Sequence, residues 1–231
     1  MPAAAKRTRG ERAGLTRERI LDAAVDLVDR EGPKALTMRR LGAALGVEAM
    51  TLYHHVPNKD ALLDGLVERV FAGAAPVESS DGDWRSWLRA YADALRATLL
   101  GHPGVLPLAA ARPAATPAAL DAVERGLRVL TSAGFPLGRA LHALNSLTLL
   151  VVSHAAAECA PADPDGPSST AALAALDPGR YPLTREAART GAGTDDAERF
   201  AYAVEALVTG FGAGAGADRP VGCQAAAVSG R

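Results

Sequence analysis

The stretch TMRRLGAALGVEAMTLYHHVP, from Thr37 to Pro57, holds two apolar-periodic segments separated by Leu45-Gly46-Val47. Thr37 is placed to cap the first segment, with Met38, Leu41 and Leu45 on its inward face. Gly46 breaks it, because the turn needs a backbone conformation that a Cβ atom disfavours. The second segment runs from about Glu48 to His55, and Pro57 ends it. Helices this short are marginal alone and must lean on neighbouring helices. Two short helices across a tight turn follow helix-turn-helix grammar. A generic two-helix turn in any all-helical protein satisfies the same periodicity, so both readings stand at this point.

The flanks extend the helical pattern. Thr16 is a candidate cap for a preceding helix, with Glu18 in its first turn and Ile20, Ala23, Ala24, Leu27 and Val28 on one face. Gly32-Pro33 stops that helix. Asn58 is placed to cap a following helix with Ala61, Leu62, Leu66 and Val70 on its apolar side. Aromatic residues make up only 4% of the 231 residues and alanine is abundant, which favours helix and leaves strands little to build with. The expected class is all-α.

After a linker at residues 73–83, Trp84, Trp87, Leu88, Tyr91, Leu95 and Leu99 share one broad helical face. Thr116-Pro117 opens another helix, which closes at Gly134. The segment from Pro136 to Glu158 is apolar most of the way round and should be buried on more than one side. Residues 159–194 read as a long loop with short helical pieces. A last helix runs from Asp195 to about Phe211. The expected organisation is a basic disordered arm (1–15), a helix-turn-helix unit (16–60), a connecting helix and linker (61–83), a ligand-binding and dimerisation unit (84–211) and a flexible tail (212–231).

Charge is uneven along the chain. Residues 1–60 carry 11 Lys/Arg against 8 Asp/Glu, a balance of +3, while the rest is net −4. A basic front on an acidic body suits a polyanion, although a solubilising tail gives the same pattern. No run of about 18 apolar residues is evident, so no membrane span is expected. The N-terminus lacks the apolar stretch of a secretory signal, so a cytoplasmic location is expected. Cys159 and Cys223 are far apart and form no metal or disulfide framework. GFGAGAG (210–216) has dinucleotide-loop spacing but follows a helix, with no βαβ unit around it. No catalytic constellation is present, so an enzyme is not expected, and neither is a cofactor.

LTMRRLGAALGVEAMTLYHHVPNKDALLDGL resembles the DNA-binding domain of the TetR family of transcriptional regulators. HPGVLPLAAARP and LTSAGFPLGRALHAL resemble the ligand-binding half of the tetracycline-repressor branch. The resemblance implies about nine or ten helices, a two-fold homodimer, a double-stranded DNA operator and a small-molecule effector that moves the two DNA-reading heads. It also implies that Arg39 reaches a guanine edge and that Thr37 contacts phosphate. Ala49 and Met50 stand where that branch has glutamine and proline, so a shared operator is not expected. Ala75 and Leu108 match the branch's metal-chelating histidines and Tyr91 matches its drug-orienting asparagine. A magnesium–tetracycline effector is therefore not expected, and a more hydrophobic or aromatic one is.

With Leu52 facing the core, helical geometry puts Val56 and Ala49 on its side and exposes Met50, Thr51, Tyr53, His54 and His55. Met50 and the Thr51 methyl suit a thymine methyl, and Ala49 offers shape alone. Tyr53, Thr51 and the imidazoles can donate to phosphate or base edges. Lys59 suits a phosphate. Adjacent histidines diverge by about 100° on a helix, which disfavours joint binding of one metal ion. Lys6, Arg7, Arg9 and Arg12 form a candidate arm for phosphate or minor-groove contacts.

For the ligand half the candidate lining residues are Trp87, Tyr91, Leu95, Leu108, Arg112, Leu127, Leu130, Asn145 and Thr148. Each also has an ordinary reading as core. Asn145, Thr148 and His154 need partners if buried, and His154–Glu158 is read as a surface pair or subunit contact. Segments 136–158 and 195–211 are the expected homodimer interface. A ligand-independent DNA-binding regulator with a filled core is the alternative.

Overall fold

The computed structural model describes residues 14–73, 83–112, 116–161, 163 and 166–213. The expected arm residues Lys6, Arg7, Arg9 and Arg12, most of the linker with Ala75, and the tail beyond Ala213 lie outside them. Among the described residues there are eleven α-helices, two 3-10 turns and no strand.

The head consists of α1 (Arg17–Glu31), α2 (Met38–Leu45) and α3 (Ala49–Leu52), followed by α4 (Lys59–Gly73). The expected caps are made: Thr16 and Thr37 side chains accept from Arg19 N and Arg40 N at 3.2 Å each, and Asn58 Oδ1 accepts from Ala61 N at 2.8 Å. Each satisfies an amide that helix geometry leaves without a partner. Gly46 adopts φ +66°, a left-handed conformation, which lets the chain reverse between α2 and α3 without a Cβ penalty. Ion pairs Arg17–Glu68 at 3.0 Å and Arg69–Asp22 at 2.7 Å hold α4 along α1.

The helix expected from Glu48 to His55 is shorter than its pattern. Only Ala49–Leu52 is α-helical, and the chain then tightens through His55 N→Leu52 O at 3.0 Å. Pro57 disfavours helical geometry at Val56, so the segment closes on itself instead of extending. Four residues cannot hold a helix by themselves. Leu52 at 0% exposure and Val56 at 2% anchor it to the head, and full burial of one such side chain contributes about 1.5–3 kcal/mol.

The second half is built on α5 (Trp84–Gly101) and α8 (Leu137–Glu158), which pack on each other, with α6 (Leu106–Ala111), α7 (Pro117–Ser132) and α11 (Asp196–Ala213) around them. Asp83, expected as the end of a linker, caps α5 through Arg85 N and Ser86 N. The segment expected as a loop contains α9 (Thr170–Ala174) and α10 (Pro182–Thr190), which pack chiefly on each other. One hydrophobic cluster runs from Leu15 and Ile20 in the head to Val208 in α11, so the two halves share a core.

By length and composition α8, with mean hydropathy 1.3, is apolar enough to cross a membrane, which corrects the expectation that no segment is. One side of it buries Ala140, Ala143, Leu144, Leu147, Val151, Val152 and Ala155, as a core helix does.

Candidate nucleic-acid interface and effector half

The short helix α3 divides its residues by face. Leu52 is fully buried, while Met50 is 70% and Tyr53 42% exposed. His54 is exposed, and Ala49, Thr51 and His55 are half-buried. Thr37, Arg39 and Lys59 are exposed as well. Among the described residues the side chains of Arg39, Glu48 and Lys59 make no hydrogen bond or ion pair, whereas Arg40 pairs with Glu31. Met50 thus stands in water beside polar side chains that no group of the described chain engages. Ala43, Gly46, Val47, Glu48 and Thr51 line a cavity of about 270 Å³ next to it.

Two polar clasps, not anticipated from the sequence, tie this head to the rest. Asp29, near the end of α1, accepts from Gly104 N at 3.0 Å and lies 2.8 Å from His102 Nδ1. A Cβ on Gly104 would come 2.3 Å from Val28 O, so only glycine lets the turn before α6 lie this close to α1. At the other end of α6, Arg112 Nη1 bonds Asp64 at 2.5 Å and Arg112 Nη2 bonds Asp60 at 2.9 Å, both on α4. These bonds hold the Arg112 guanidinium above its usual range. Helix α6 is thus fastened to α1 before its start and to α4 just beyond its end. The faint signals in the sequence were an acidic residue near a helix end and the HPG turn.

Of the nine candidate lining residues, three come together. Trp87 stacks on Tyr91 with centroids 5.5 Å apart and 7° between planes. Tyr91 Oη lies 3.0 Å from Thr148 Oγ1. Burial raises the Tyr91 phenol above its ordinary range, and the Thr148 bond opposes this in part. Leu95 and Leu130 are fully buried, and Leu108 and Leu127 pack half-buried against the same core. Arg112 is committed to α4, and Asn145 faces outward from α8. Leu108 and Tyr91 offer nothing with which to chelate a magnesium–drug complex, so that group does not fit here.

His154 is not the surface residue its spacing implied. Its side chain is 8% exposed and lies edge-on to Phe200 at 5.2 Å. Glu158 is 3.9 Å away but is gripped by Arg96 at 2.8 Å. Neither ring nitrogen of His154 has a partner. Burial first, then Arg199 and Arg96, lower its pKa, with Glu158 and Asp196 opposing.

This arrangement of head and core is shared with known proteins. Residues 20–66 match the family described as bacterial regulatory proteins, tetR family, and residues 75–214 match the tetracyclin repressor-like C-terminal domain. The chain belongs to the TetR family and is a helix-turn-helix transcriptional regulator. It is 35% identical over 206 residues to the class D tetracycline repressor of Escherichia coli, covering 86% of this chain and 90% of that one. It is 38% identical over 128 residues to the HTH-type transcriptional repressor DrrR1 of Streptomyces coeruleorubidus, covering 55% of this chain but only 47% of the relative. In three dimensions it is similar to ActR of Streptomyces coelicolor in its apo form, with a TM-score of 0.78 at 29% identity, covering 87% of this chain and 97% of that one. The ActR complex with actinorhodin is similar at a TM-score of 0.75 and 28% identity, covering 88% and 99%.

Proposed function

We propose that this regulator is a cytoplasmic repressor that binds a palindromic operator as a homodimer and leaves it when a hydrophobic or aromatic effector enters the α5–α8 half. The observation that carries the DNA reading is the division of α3: Leu52 is locked in the core while Met50 and Tyr53 stand in water. In this reading Ala49, Met50, Thr51, Tyr53, His54 and His55 meet the major groove. Arg39 reads a guanine edge, and Thr37 and Lys59 hold phosphate. Residues 16–60 read DNA, 61–83 connect, and 84–211 hold effector and partner subunit.

The dimer reading rests on α8 and α11. Leu137, Leu141, Asn145 and Leu149 follow one another at four-residue steps, all exposed, and Tyr202 on α11 is 76% exposed. A leucine stripe of this kind is costly in water and suits the same stripe on a second copy. The effector reading rests on the Trp87–Tyr91 stack, a flat aromatic wall with a hydroxyl at its edge. It is supported by the structural relative that holds actinorhodin. The reading without an effector draws on the packing of Leu95, Leu99, Leu130 and Leu147, all at 0% exposure.

The experiment is selection of duplexes from a random pool by the purified chain, followed by titration of the bound complex with planar aromatic compounds while Trp fluorescence is recorded. Enrichment of an inverted repeat, with quenching that parallels DNA release, is the expected result. Enrichment without release by any compound favours the effector-independent regulator, and no enrichment rejects both.

A further inference from the structure

We infer that Glu48 is a base-reading residue that selects a cytosine in the operator through its exocyclic amino group; this rests on the proposal that α3 enters the major groove. Glu48 precedes α3 at the position where a side chain ordinarily caps a helix, yet its carboxylate makes no capping bond. It makes no ion pair among the described residues either, although ten arginine–carboxylate pairs form among them. The uncommitted carboxylate is exposed and lines the cavity of about 270 Å³ with Ala43, Gly46, Val47 and Thr51. Thr51 belongs both to that lining and to the proposed reading face.

Charge decides the occupant. An ionised carboxylate only accepts hydrogen bonds, and beside phosphates it is repelled, so it has no place on a backbone-contacting surface. In the major groove it meets four kinds of edge. Guanine presents the acceptors N7 and O6 and thymine presents O4, all of which repel it. Cytosine presents the N4 amino donor with no competing acceptor, whereas the adenine donor sits beside acceptor N7. The methyl groups of Ala43 and Val47 provide an apolar wall against which the cytosine C5–H edge can lie. Selection is thus built from attraction to one base and repulsion of two others.

Sites are selected from random duplexes by the full-length chain and by Glu48→Gln, and both proteins are then measured on the four base-pair variants at each half-site position. A glutamine keeps the size but adds donors, so it tolerates acceptor edges. One half-site position, occupied by cytosine in the parental site, is expected to lose a preference of roughly tenfold, while preferences elsewhere and the thermal midpoint stay as they were. Loss of preference at an A·T pair instead overturns the assignment to cytosine, and identical preferences for both proteins overturn the role of Glu48. Failure of the parental chain to select any site defeats the underlying DNA-binding proposal instead, and the parental arm alone shows this.

Discussion

The head and the effector half use apolar residues in opposite ways. In α3 one leucine is buried so that its neighbours can be exposed, and the residues beside it carry no internal partner. Where α5 and α8 meet, side chains pack on one another, Tyr91 bonded to Thr148 and Glu158 to Arg96, while Leu137, Leu141 and Leu149 on the outer side of α8 stand in water. The first region leaves side chains uncommitted, and the second closes its own over a packed core. Uncommitted side chains set the face of α3 apart, whereas the lining candidates of the second half share the pattern of ordinary core. Between the two, α6 is fastened to the head at both ends.

The largest effect is expected at that fastening. Gly104→Ala drives a methyl into the backbone of α1 and should destabilise the chain by about 1–3 kcal/mol or more, read as a lowered urea midpoint. A midpoint unchanged from the parental protein would show that head and core are not in such close register. Arg39→Ala should cost roughly 1–3 kcal/mol of binding at one base pair and relax preference there; an unaltered selected site would remove Arg39 from the reading face. Tyr91→Phe deletes the bond to Thr148 and should cost about 1 kcal/mol of stability, with operator affinity in the absence of effector unaffected. If operator affinity fell with it, the two regions would be less separate than described.

His154 gives a pH-dependent contrast. Its folded pKa lies below the ordinary 6.5 because it is buried between Arg96, Glu158 and α11 residues Asp196, Arg199 and Phe200. The unfolded chain therefore takes up this proton first as pH falls. The stability associated with neutral His154 is complete above about pH 6.5 and drains away below it. His154→Leu should flatten the fall in urea midpoint between pH 7 and pH 5, and equal slopes in both proteins would rule this out. The smallest effect belongs to Lys59→Ala, which should lower affinity for all duplexes alike and reduce the salt slope by about 1. Loss confined to one sequence would mean that Lys59 reads a base.

The sequence made the head legible because capping and turning leave little choice: Thr37, Gly46, Pro57 and Asn58 punctuate it, and each has a single geometric job. The length of α3 was overstated because periodicity continues through Tyr53 and His54 while the backbone, facing Pro57, does not. The effector half was legible as helices but not as a site. Leu95 and Leu130 have the pattern of pocket walls and are solid core, while Asn145 marks the outward stripe of α8. Arg112 looked like a lining residue and is a strut to Asp60 and Asp64, which no spacing along the chain reveals because its partners lie far away in sequence. His154 and Glu158 have ion-pair spacing, but Arg96, brought by α5, takes the carboxylate.

In the proposed function the face of α3 lies in the major groove, presented twice. Methylation protection on a selected duplex tests it, because guanine N7 opens to the major groove and adenine N3 to the minor. Two protected guanine patches about one helical turn apart are expected, both lost with Tyr53→Ala in a protein that still folds. Protection confined to adenine N3, or a single unpaired patch unaffected by that substitution, would contradict it.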